Sequence, residues 1–136
     1  MLVRAVFDDV FNAHDADRID AYFTEGYAHD GPVEPGREGF KEFMRDVFAA
    51  FPDLHGTIDE IVTDGSRVAC RSTWTGVQRG ELLGIPATGR AVAYRVIEIF
   101  RIEDGRIAGH AQQADTLTML TQLGVLAEPA VVGSNG

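Results

Sequence analysis

Residues 100–115, FRIEDGRIAGHAQQAD, set two strand-forming runs on either side of Asp104-Gly105 and end in a histidine and a carboxylate. An Asp-Gly pair supplies the positive backbone torsions of a two-residue hairpin turn, so Ile99–Ile102 and Arg106-Ile107 read as the arms of a hairpin. After Asp115 the composition changes to TLTMLTQLG, with apolar residues at 117, 120 and 123 and a glycine stop, the pattern of a short helix. Asp115 therefore stands where a strand ends and a helix begins, with His110 close by.

The same period of two extends upstream. Thr57–Val62 and Arg67–Trp74 flank Asp64-Gly65, a second hairpin signal, and Ala91–Arg101 is rich in Val, Ile, Tyr and Phe, as a long strand should be. A loop with Gly80, Gly84, Pro86 and Gly89 separates them, giving a sheet of at least four antiparallel strands. Before residue 55 the period is helical. Leu2, Val3, Val6, Phe7, Val10 and Phe11 form one apolar stripe, and Asp15 suits the cap of a second short helix carrying Ile19, Tyr22 and Phe23. Phe40, Phe43, Met44, Val47, Phe48 and Phe51 form a third helix over Gly36–Phe51 that Pro52 ends. Thr24–Pro35 reads as mostly irregular, with one short strand at Tyr27-Ala28-His29. Helices followed by a curled meander describe an α+β domain whose sheet wraps around its helices. Such a cone can enclose an apolar pocket, for which Phe51, Trp74, Tyr94, Phe100 and Met119 are candidate lining, although each taken singly reads first as ordinary core.

The 136 residues suit one domain, expected over 1–127, with an aperiodic tail at 128–136. Hydrophobic residues at 45% and charged ones at 24% are globular proportions. The net charge of −9, scattered along the chain, disfavours nucleic acid as a partner. The single cysteine, Cys70, cannot make an internal disulfide and lies in an apolar run, consistent with a reducing cytoplasm. No run approaches the roughly 20 apolar residues of a membrane span. The four histidines show no zinc spacing, and no phosphate loop or nucleophile elbow is present.

FNAHD at 11–15, EGFKEFMRDVFAAFPD at 38–53, GELLGIPATGR at 80–90, FRIEDGRIAGH at 100–110, and Asp115 followed by LTQLG at 120–124 together resemble the SnoaL-like polyketide cyclases of the NTF2-like superfamily, over about residues 3–126. The resemblance implies an α+β cone, usually a homodimer through the outer sheet face. It implies a hydrophobic polycyclic aromatic substrate and no metal or organic cofactor. It also implies intramolecular aldol closure of a ring in an aromatic polyketide ester, with the aspartate matching Asp115 as general acid/base. Related tailoring reactions (hydroxylation, isomerisation, rearrangement) and a non-catalytic binding module share the fold. The chain departs from the family at Ala111, where a tryptophan is common, and at Val77-Gln78, where a Thr-His pair is frequent; both changes are expected beside the pocket.

Aldol closure needs a proton taken from a carbon next to a carbonyl and one delivered to the resulting alkoxide. One carboxyl group can do both, provided burial raises its pKa from about 4. Asp115, with Ala114 and Leu117 nearby, is the candidate, and capping the helix that starts at Thr116 is its alternative use; both coexist only if one carboxylate oxygen stays free. His110 is expected to tune Asp115 or to hold a substrate carbonyl. Five residues of regular strand would put the two on opposite faces, so their meeting needs a bulge or the strand's end. Gln112 shares the face of His110 and could bind a substrate oxygen. His29-Asp30 could reach the pocket mouth or cap its loop. Glu98 reads as a rim charge or a partner for Arg95 or Arg71.

Overall fold

The computed structural model describes residues 1–30 and 36–127, so the tail expected at 128–136 lies outside the described residues. The meander is present as β2 (His55–Asp64), β3 (Arg67–Val77), β4 (Ala91–Glu103) and β5 (Arg106–Ala114), each antiparallel to the next. Asp104 and Gly105 both have positive φ, 49° and 76°, as the two-residue turn between β4 and β5 demands. The other hairpin turns on Gly65-Ser66, because Asp64 already pairs with Arg67; of these two turn residues Gly65 takes the positive φ.

The short strand expected around Tyr27 is a full one. β1 (Phe23–Asp30) runs parallel to β5 and completes the order β1-β5-β4-β3-β2. The glycine and charges of this segment hid its pattern, in which Phe23 and Tyr27 are buried. Phe23 begins this strand instead of ending a helix.

At the N-terminus, α1 (Leu2–Val6) widens over Phe7–Phe11 into a π turn, with the Asn12 amide donating to the Phe7 carbonyl at 2.8 Å and that of Asp15 to Val10 at 3.0 Å. The widening keeps Phe7, Val10 and Phe11 all in the core. Asp15 precedes a 3₁₀ turn (Ala16–Arg18) that leads into α2 (Ile19–Tyr22), but its side chain makes no capping bond. The expected third helix is α3 (Arg37–Ala50), which buries Phe40, Met44 and Phe48. α4 (Thr116–Gln122) closes the domain, clamped to β4 by the Gln122 carboxamide, which bonds both backbone groups of Ala93.

One irregularity decides which side chains face inward. Arg101 pairs with Gly109 and Ile102 with Ile107, so Ala108 is an extra residue in β5. This bulge puts Ile107 and His110 on the same, inner face although they are three apart. His110 then lies opposite Phe100 and beside His29, while Gln112 lies opposite Glu98. Gly109 leaves room for the Arg101 guanidinium, which a Cβ there would meet at 2.9 Å and push aside.

Candidate active site

The even-numbered residues of β4 point into the cone, and Val92, Val96, Glu98 and Phe100 are buried. The expected partners Arg95 and Arg71 are odd-numbered and lie on the other face. Glu98 is therefore inside, and its partner is His110: Nε2 and Glu98 Oε2 are 2.5 Å apart, with both side chains at least 96% buried. On the other side of the ring, His110 Nδ1 lies 3.1 Å from the Tyr27 hydroxyl. With a neutral ring, Nε2–H donates to the carboxylate and Tyr27 donates to Nδ1, so both nitrogens are satisfied. Burial, reinforced by Glu98, pushes the Tyr27 phenol well above its ordinary range, so it keeps its proton.

Aromatic rings hold the imidazole in place. Phe100 stacks on it at 4.6 Å, and His29 meets it edge-on at 4.9 Å while stacking on Phe40. Burial lowers the pKa of His29 to about 4, with His110 acting in the same direction and Asp30 and Gln112 opposing. His29 is thus neutral at pH 7, and its Nδ1 is buried without a partner. Glu98 Oε1 is likewise buried and unpartnered. Two unsatisfied polar atoms beside one histidine are costly in a core and ordinary in a site awaiting a polar ligand.

Asp115 lies elsewhere and is employed differently. Its carboxylate is exposed; Oδ1 accepts from the Thr118 amide at 3.1 Å and Oδ2 from the Thr118 hydroxyl at 2.7 Å. These bonds hold its pKa below the usual carboxylate value. The expectation that apolar surroundings raise it does not hold, because the start of α4 is solvated and both oxygens serve the cap.

Of the other expected contacts, Phe100, His29 and Gln112 gather around His110. Trp74 and Phe51 do not: Trp74 packs 5.4 Å from Phe7 and donates to Ser72 Oγ at 2.9 Å, and Phe51 fills the space over Gly76. Tyr94 lies two inner-face positions beyond Glu98, its hydroxyl pushed up to about 12 by burial, and Met119 is half-buried at the edge of the core. Two departures from the family also fall away from this cluster. Ala111 pairs with Ile99 on the outer sheet face, and Gln78 is a buried staple that bonds Gly80, Ile85 and Thr88. Among the described residues no group of three or more His, Cys, Asp or Glu is placed to hold a metal ion.

The family profile of the SnoaL-like polyketide cyclases matches residues 1–123. The chain belongs to this family. The aklanonic acid methyl ester cyclase of Streptomyces peucetius is 32% identical over 104 residues, which are 76% of this chain and 72% of the relative. The nogalonic acid methyl ester cyclase of Streptomyces nogalater is 27% identical, covering 84% and 89%. Among solved structures, TsrD from Streptomyces laurentii superposes with a TM-score of 0.81 at 36% identity, covering 92% and 91% of the two chains. The NTF2-like cone expected from the sequence is thus the fold of this SnoaL-like protein. Tyr27, Phe40 and Glu98 are the site members that sequence reasoning missed. For Glu98 the signal was present, since strict alternation with Val96 and Phe100 already pointed it inward.

Proposed function

We propose that the protein closes a ring of a hydrophobic, polycyclic aromatic polyketide ester by intramolecular aldol condensation, with acid/base catalysis in the His110 cluster. The observation that carries this reading is the His110–Glu98 contact, a buried hydrogen-bonded pair beside two unpartnered polar atoms. The named cyclases among the relatives supply the substrate class. Because both reacting carbons belong to one molecule, the site must mainly fold the substrate, and acid/base catalysis need add only about 10²–10⁴-fold. Neutral His29 and Gln112 offer hydrogen bonds to substrate carbonyls, and Phe100 and Phe40 offer flat surfaces to its rings. The scheme uses no metal or organic cofactor.

Two copies associate through the outer sheet face in this proposal, where Ile97 and Ile99 are 56% and 45% exposed. A cytoplasmic setting suits Cys70, whose thiol burial pushes up to about 12; no helix among the described residues is long and apolar enough to cross a membrane.

Incubation with an aromatic polyketide methyl ester that carries an uncyclised ketone side chain tests the reaction. Aldol closure gives a product of unchanged mass with one ketone fewer. A product heavier by one oxygen establishes hydroxylation instead, and unchanged substrate establishes neither.

A further inference from the structure

We propose that α4 is a lid on the cone and that the Gln122 side chain is its latch. His110 and Glu98 are 4% and 3% exposed, so a polycyclic ligand reaches them only when a covering element moves away. Among the described helices, α4 is the one that buries none of its own residues. Its seven residues are too few to hold a helix in water unaided, so it stays folded through what it touches.

Those contacts follow from a mismatch in strand length. β5 leaves β4 at the Val96–Ala114 pair, and the backbone of β4 before Val96 would be an open edge on that side. α4 runs along this edge. The Asp115 amide donates to the Arg95 carbonyl at 2.9 Å and pins the N-terminal end. At the other end the Gln122 carboxamide takes the place of the missing strand: Oε1 accepts from the Ala93 amide at 2.8 Å, and Nε2 donates to the Ala93 carbonyl at 3.1 Å. Tyr94, on the inner face between these two anchor points, is half-buried.

The grip of α4 is uneven. Leu123, just past its end, is 2% exposed, whereas Met119 is half-buried against the core and Leu117 is 51% exposed. Both Gln122 bonds are open to water, which can replace them one for one. Opening swings the Gln122 end outward about Asp115, lifts Met119 and Leu123 from the core, and uncovers the stretch of inner face that leads from Tyr94 past Val96 to Glu98 and Gln112. The burial of Leu123 keeps the closed form dominant, and the latch sets how often it opens. Asp115 stays at the pivot with its cap intact, so opening and proton transfer are separate events.

Gln122→Ala in the full chain removes the latch and leaves the core and the pivot in place. Amides of 117–123 should then exchange with deuterium about five- to tenfold faster, as expected from the loss of two exposed hydrogen bonds, while those of 98–102 keep their rate. Hydrogen peroxide should oxidise Met119 faster as well, with exposed Met1 and buried Met44 as unchanged references. Association of 2-acetonaphthone, a flat aromatic ketone, is followed by quenching of Trp74, which pairs with Tyr94 across the strands. It should quicken about five- to tenfold, because in wild type it waits for opening. Gln122→Glu keeps the acceptor for the Ala93 amide and loses the donor, so it should fall between; the same criteria apply to it if Gln122→Ala does not fold. Unchanged exchange or Met119 oxidation overturns the latch, and so does faster reaction of Met44 and 98–102 in step, which is global loosening. Faster exchange with unchanged probe association, or no association with either chain, overturns the lid. A latch that gates the probe in a protein that cyclises no polyketide ester leaves the lid standing and removes the proposed reaction.

Discussion

Glu98 and Asp115 are both carboxylates beside β5, and they have opposite fates. Glu98 is 3% exposed and hydrogen-bonded to His110; Asp115 is solvated and holds the first turn of α4. Residue type does not separate them, and neither does distance along the chain from His110. What separates them is strand parity and one extra residue. The Ala108 bulge turns His110 inward to meet Glu98, and Asp115 falls just past the end of β5, where solvent and free backbone amides claim it. Burial against His110 leaves one Glu98 oxygen without a partner inside the cluster, whereas capping lowers the pKa of Asp115.

The largest effect that could break this contrast is expected at His110. His110→Ala leaves Glu98 buried without its partner, so it should cost on the order of 3 kcal/mol in urea unfolding and remove the roughly 10²–10⁴-fold acid/base contribution to turnover. A stable, active variant would put the chemistry outside the cluster.

A smaller effect concerns pH. His29 takes its proton near 6.5 when unfolded and near 4 when folded, so between those values the unfolded chain binds more protons. Its contribution to stability is complete above about 6.5 and is lost as the pH falls toward 4. Urea midpoints compared at about pH 7 and about pH 4.5 should fall less on acidification in His29→Phe than in wild type. An equal fall in both would mean that His29 is not held neutral.

The smallest is expected at the cap. Asp115→Ala should lower the urea midpoint slightly, and Asp115→Asn should restore it, because asparagine caps as well as aspartate. No difference between the two would remove the capping role.

Much of this architecture was readable before the structure. The Asp104-Gly105 turn, the long β4, the stripe of α3 and the junction at Asp115 each follow from local patterns that tertiary packing did not override. β1 escaped because its pairing is long-range and parallel, and its sequence carries Gly26 and charges on the exposed side. The placement of His110 also escaped, since a bulge shifts parity without changing composition; Gly109 inside a strand was its one trace. Asp115 stood out through the family resemblance, whereas its position at the strand–helix junction pointed equally to a cap. The tryptophan missing at Ala111 looked like a change in the pocket, although that position faces outward beside Ile99.

The most direct test is the turnover of Asp115→Asn on an aromatic polyketide methyl ester, measured beside wild type. This substitution keeps the cap and removes the carboxylate. Chemistry seated in the buried Glu98–His110 pair predicts a rate within about threefold of wild type, and a loss of about 10²–10⁴-fold would place the acid/base group at Asp115 and contradict the account.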